Sequence, residues 1–186
     1  MTFSGVAVER ARRAVALVDA ARALAEESGT ADFTVADVAR RAGSSLKGFY
    51  GCFASKDDLV LALLRHDSER GAAVMAPRIV GVEGIARVRT FIETMFELIG
   101  YPESRSYATL AWNEYRRLGT THRRQILDAV APLSDLLEVV CSARDARYVL
   151  SLVLAGIGDV LMDGADPRAT GEAIAAFCER GVQPRG

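Results

Sequence analysis

The stretch that most constrains this chain is TVADVARRAGSSLKGFYGCFASKDDL, residues 34–59. Val35, Val38, Ala39 and Ala42 recur at i, i+3, i+4 and i+7, the spacing of one apolar helical face. After Gly43 the same spacing restarts with Leu46, Phe49, Tyr50 and Phe53, a second apolar face. Only the tetrapeptide AGSS lies between, which leaves room for a turn and nothing more. Gly43 suits the left-handed position that closes a helix, and Ser44 or Ser45 can cap the next one. Thr34 with Asp37 three residues on is a capping pair, and Ser55 with Asp58 repeats it for a helix beginning near Lys56. Two short helices around a glycine-containing turn make a helix-turn-helix.

Helical spacing continues on both sides. Ala11, Ala14, Val18, Ala21, Leu24 and Ala25 form a stripe that predicts a first helix over residues 8–28. The fourth helix is expected to run from Lys56 through LVLALL and stop before Pro77, where a composition change marks a break in the chain. A fifth helix over 83–99 carries Ile85, Val88, Ile92, Met95 and Phe96 on one side, and a sixth spans 103–118. The seventh is expected from Thr120 or Thr121 to Ser142, with Pro132 kinking it. The eighth, over 144–162, is apolar almost all round and needs cover on more than one side. Asp166 and Pro167 open a ninth, with Thr170, Ala173, Ile174, Phe177 and Cys178 on one face, and the tail after it is expected to fray. No strand-like alternation interrupts the series. The expectation is an all-α chain of about nine helices, a small N-terminal head and a larger body.

Composition narrows the function by exclusion. Hydrophobic residues make up 50% and charged residues 25%, ordinary for a soluble globular chain. No apolar run approaches the roughly 18 residues that span a membrane, and the N-terminus lacks a signal-peptide pattern, so a cytoplasmic protein with no membrane partner is expected. The 3 cysteines show no CxxC spacing and the 2 histidines are far apart, which argues against a disulfide framework, a metal site or a bound cofactor. Nothing places a histidine beside a thiol, and no nucleophile elbow appears, so no catalytic residue is assigned. Net charge is −1, so any nucleic-acid signal must come from placement. Placement is informative: the only lysines, Lys47 and Lys56, both lie in the opening stretch.

That stretch resembles the TetR family of one-component bacterial transcription regulators. The likeness rests on the capped helix, the Ala-Gly turn, the Phe49-Tyr50 pair, Phe53, and the following Ser-Lys-acid-x-Leu. Ser44 departs from the usual Val, Lys47 from the common Gly, and Cys52 from the frequent His or Tyr. The resemblance implies a helix-turn-helix DNA-binding domain over residues 1–56 and an effector-binding and dimerisation domain over 57–186. It implies a homodimer on a double-stranded DNA operator, a repressor released by a small effector. DNA contact is expected from Thr34, Ser44, Ser45, Leu46, Lys47, Gly48, Tyr50 and Lys56. Lys47 can reach a guanine edge or a phosphate, and Leu46 a thymine methyl. Tyr50 matches the family's phosphate-binding tyrosine, and Thr34 and Lys56 stand at helix starts, where free N–H groups favour anions.

Candidate effector-pocket residues are His66, Phe91, Met95, Phe96, Tyr107, Trp112, Asn113 and Tyr115, a set suited to a lipophilic or aromatic ligand. Candidate dimer residues are Leu154, Ile157, Leu161, Ile174 and Phe177, with Ala155, Gly156 and Gly158 permitting close approach. The competing reading is a helical interaction module whose head no longer binds specific DNA, motivated by the bare Gly48 and Gly51.

Overall fold

A computed structural model describes residues 3–182 of the chain. Among them are nine helices: α1 (Phe3–Ser28), α2 (Val35–Arg41), α3 (Leu46–Tyr50), α4 (Lys56–Ile79), α5 (Gly84–Gly100), α6 (Pro102–Thr121), α7 (Arg123–Glu138), α8 (Ala143–Met162) and α9 (Pro167–Gly181). Side chains close most of the helix starts. Thr34, Ser45, Ser55, Ser142 and Asp166 each accept a backbone N–H from the first turn of the helix they precede, satisfying a donor with no intrahelical partner.

The head is built on Phe49. Its ring is fully buried among Leu17, Ala21, Val38 and Phe33, and Leu59 and Leu63 of α4 with Leu110 of α6 complete that core. The body core is separate, with Met75, Phe91, Ile92, Phe96, Leu137 and Val153 at its centre. A smaller cluster of Val60, Leu61, Leu64, Leu118 and Ile126 knits α4 to α6 and α7. Helix α4 therefore contributes to all three clusters, and any movement of it reaches both head and body.

Several boundaries differ from expectation. Helix α1 begins at Phe3, five residues before the expected 8, and Ala11 on its expected apolar stripe is exposed. Helix α4 runs through Pro77 to Ile79: Pro77 is exposed in the last turn and forfeits one ladder bond, to the Ala73 carbonyl, without ending the helix there. Helix α6 passes Gly119 and ends at Thr121, and α7 ends at Glu138, before Ser142 turns to cap α8. Pro132 sits inside α7 and cannot donate to the Asp128 carbonyl; Arg65 Nη1 of α4 donates to that oxygen instead, at 2.9 Å. Of the tail expected to fray, Val182 caps α9 and packs partly against the body core, and residues 183–186 lie outside the described residues.

The all-round apolarity of α8 has an intrachain explanation. A Cβ on Gly158 would overlap the Trp112 ring, and one on Gly156 would meet Ile174 at 2.5 Å and Phe96 at 2.9 Å. Both glycines are sockets for this chain's own side chains, which corrects the expectation that they serve a partner. Ile157 is buried in the body core. Leu154, Leu161 and Ile174 pack partly against that core, while Phe177 stands 59% exposed on α9.

Candidate nucleic-acid interface

The interface begins with two caps and a turn. Thr34 Oγ1 accepts the Asp37 N–H at 3.1 Å, and the Asp37 carboxylate accepts the Thr34 N–H at 3.0 Å, a reciprocal capping box. The Thr34 hydroxyl also donates to that carboxylate, at 2.6 Å, and this bond, then the Thr34 N–H and then Arg40, hold the Asp37 carboxyl at about 2, well below the ordinary carboxylate range. Arg41 makes a two-pronged pair with Glu27 of α1, at 2.5 and 2.7 Å, and so fixes α2 to α1. Gly43 then adopts φ +61°, a conformation that costs other residues strain, and reverses the chain. Ser45 Oγ accepts the Gly48 N–H at 3.0 Å and starts α3.

Helix α3 has only five residues, and a single anchor orients it. Phe49 points inward, its ring edge-on to Tyr50 at 5.3 Å and 5.7 Å from Phe53. Leu46 is 50% exposed and Tyr50 58%, so neither shares the buried stripe that their spacing suggested. A helix barely longer than one turn buries one side chain; its neighbours in the pattern reach solvent. Lys47 is exposed beside them. Leu46, Lys47 and Tyr50 thus form an outward surface on a rigidly seated element.

A groove of about 400 Å³ runs along this surface, lined by Arg13, Gly43, Ser44, Ser45, Lys47 and Gly48. Its lining holds two cations, two hydroxyls and no carboxylate. Of the expected contact residues, Ser44, Ser45, Lys47 and Gly48 are brought together here. Thr34 lies at the start of α2 with its hydroxyl engaged by Asp37. Lys56 turns inward: its ammonium donates to the Ala31 carbonyl and lies 4.8 Å from the centre of the Phe33 ring. That packing closes the head, and it leaves Lys56 less available to a phosphate than its place at a helix start implied. Gly51 is the C-cap of α3 and not an interior residue. Arg13 belongs to α1 and was missed; periodicity ranks it as a polar position and gives no hint that it meets α3.

The head connects to the body through charged groups. Arg22 of α1 donates to Asp67 of α4 at 2.5 Å, and Tyr107 of α6 donates to the other carboxylate oxygen at 2.6 Å. Burial pushes the Asp67 carboxyl above its usual range, outweighing the Tyr107 hydrogen bond and the Arg22 charge; burial and Asp67 together hold the Tyr107 phenol high. Nearer the start of α4, Arg117 of α6 holds Asp57 at 2.6 Å and Glu114 at 2.8 Å.

Residues 17–63 match the family model for bacterial regulatory proteins, tetR family. The amino-terminal head belongs to the TetR family. Solved structures extend the likeness beyond this TetR head to the whole fold. The transcriptional regulator FadR from Bacillus subtilis, in complex with stearoyl-CoA, is 16% identical; the match covers 91% of this chain and 99% of that one, with a TM-score of 0.67. The multidrug binding protein EbrR complexed with imidazole is 20% identical over 94% and 97%, at 0.69. RolR in complex with resorcinol is 18% identical over 95% and 90%, at 0.62. Comparison with curated protein sequences found no match.

The expected effector residues do not share one cavity. Phe91 is buried in the core, Tyr107 is engaged by Asp67, and Asn113 is exposed. Trp112 lies against Gly158, donates to the Leu154 carbonyl at 3.0 Å, and is covered by Arg116 at 4.7 Å. Met95 packs partly against the body core, and His66 is half-buried on α4. Phe96 lines a cleft of about 510 Å³ between α5 and α9, and Tyr115 a separate one of about 200 Å³ among α6, α7 and α8.

Proposed function

We propose that this chain is a dimeric, one-component transcription regulator, a repressor that a small effector releases from a pseudo-palindromic operator. The observation that carries this is the outward surface of α3, where Lys47, Leu46 and Tyr50 stand exposed on a helix anchored by Phe49. Residues 1–56 act as the DNA-binding unit and 57–186 as the effector and dimer unit, with α4 shared between their cores. In a dimer, two copies of α3 enter major grooves about one helical turn apart. Lys47 offers a donor to guanine or phosphate, Leu46 an apolar contact to thymine, and the Tyr50 hydroxyl a phosphate contact. The dimer face lies on α8 and α9, where Phe177 and Tyr148 are exposed and a shallow apolar surface is lined by Leu152, Ala155, Ala173 and Ile174.

The effector acts at the cleft among α6, α7 and α8. Tyr115, Leu127, Asp128, Val130, Leu150 and Leu154 line it, and Asp128 is the residue whose carbonyl holds Arg65 of α4. At about 200 Å³ it is smaller than the roughly 300–1,000 Å³ of ordinary ligand sites, so binding has to spread α7 from α8. Spreading them strains the Arg65 link and moves α4, and with α4 the head. The ligand shifts that equilibrium only by its preference for the spread state. FadR with stearoyl-CoA and RolR with resorcinol are relatives in fold captured with lipophilic or aromatic ligands, which supports an effector of that class.

Selection of duplexes from a random DNA pool by the full chain tests the reading. An enriched pseudo-palindrome supports it; a pool with no enriched sequence favours the helical interaction module instead.

A further inference from the structure

The cationic groove beside α3 is not made by the helix-turn-helix alone. Its far wall is Arg13 of α1, whose Cδ lies 3.4 Å from where a Cβ on Gly48 would stand. That same Cβ would overlap the Ser44 hydroxyl and come within 3.4 Å of the Ser45 hydroxyl. The missing side chain at 48 is therefore what keeps the groove open, and two hydroxyls and the Arg13 side chain, through its Cδ, border the space. Helix α1 meets the residues after α3 at this level, where the Cys52 thiol, a weak donor, donates to the Arg10 carbonyl at 3.7 Å. Among the described residues Arg13 pairs with the Glu9 carboxylate, at 3.7 Å on an exposed face, where such pairs contribute little and give way to a stronger anion.

We infer that this groove is a seat for an operator phosphate, held by Arg13 and Ser44 and kept open by Gly48. The inference rests on the DNA-binding reading above and adds to it a contact from outside the helix-turn-helix. It also gives the bare glycine a purpose: Gly48 contributes space for a phosphate and its holders, where a side chain would have contributed a base contact. Such a contact fixes register and strengthens binding without reading sequence. Lys47 borders the groove and can either share the phosphate or turn to a base edge.

The test is fluorescence anisotropy with the duplex that the unaltered chain selects from a random pool, between about 50 and 200 mM salt. Arg13→Ala is expected to weaken binding about tenfold, as loss of a charge-assisted hydrogen bond does, and to reduce the slope of log K against log salt by about 0.9. Arg13→Lys is expected to keep the slope. Gly48→Ala is expected to weaken binding to a similar extent while the circular dichroism spectrum stays unchanged. Arg144→Ala, an exposed arginine at the start of α8, controls for net charge and is expected to bind as the unaltered chain does. Arg13→Ala with unaltered affinity and slope, beside a weakened Lys47→Ala, overturns the phosphate seat and leaves the DNA reading standing. Weakened binding with an unaltered slope also overturns it, since Arg13 is then acting on structure alone. If the unaltered chain selects no duplex, both readings fall together.

Discussion

Replacing Tyr107 with Phe removes one oxygen from the junction of head and body and keeps the ring in place. That hydroxyl donates to Asp67 at 2.6 Å, while Arg22 donates to the same carboxylate at 2.5 Å and lays its guanidinium 4.6 Å over the Tyr107 ring. The Asp67 side chain is 19% exposed, so water cannot fully replace a lost donor. A hydrogen bond to a charged group is worth about 1.5–3 kcal/mol, and with the ring's packing retained the expected cost is about 2 kcal/mol. For a chain of this size that lowers Tm by roughly 4–8 °C. The pH dependence has a definite sign. The folded carboxyl already lies above its ordinary 3.8, so its stability term is fully present below that value and is lost as pH rises through the folded value. Losing the Tyr107 donor raises the folded value further, so the variant's deficit is larger at neutral pH and narrows toward about pH 4. Urea denaturation followed by circular dichroism at both pH values measures this. A cost below about 0.5 kcal/mol, or a deficit that grows on acidification, refutes the argument.

Three other outcomes follow from particular contacts. Gly158→Ala puts a Cβ into the Trp112 ring and breaks its bond to the Leu154 carbonyl, at a cost of about 1–3 kcal/mol. Because the chain has a single tryptophan, a red-shifted emission reports the displacement, and an unshifted spectrum contradicts it. Thr34→Ala costs about 1 kcal/mol through the lost cap. It also lets Asp37 titrate nearer 3.8 than its present value of about 2, visible in carboxyl NMR; in the unaltered chain that stabilisation is present above 3.8 and lost as pH falls through about 2. Phe177→Asp places a charge on the exposed outer face of α9 and is expected to give monomers in sedimentation; a variant that sediments as a dimer moves the interface elsewhere.

Much of this architecture was legible because it is written in local chemistry. Thr34, Ser55 and Asp166 announce helix starts, Gly43 announces the turn, and the apolar spacing places nearly every helix within a few residues. What escaped depends on groups far apart in the chain. Nothing near Arg13 says that α1 lies against Gly48, and nothing near Tyr107 says that Asp67 and Arg22 converge on it. Lys56 was read from its position at a helix start, which is local, whereas its attraction to the Phe33 ring and the Ala31 carbonyl is tertiary. Leu46 and Tyr50 were grouped with Phe49 by a rule for longer helices, which fails when only one turn is present. The glycines of α8 were read as openings to a partner, since sequence cannot say that Trp112 and Ile174 already occupy them.

The central claim is that the exposed face of α3 grips DNA, and binding of the selected duplex by the full chain tests it most directly. Affinity measured from about 50 to 200 mM salt is predicted to fall steeply, as expected when several phosphates are neutralised, and to weaken at every salt concentration in Lys47→Ala and Tyr50→Phe. Binding that stays flat across that range, or that neither substitution weakens, would contradict it.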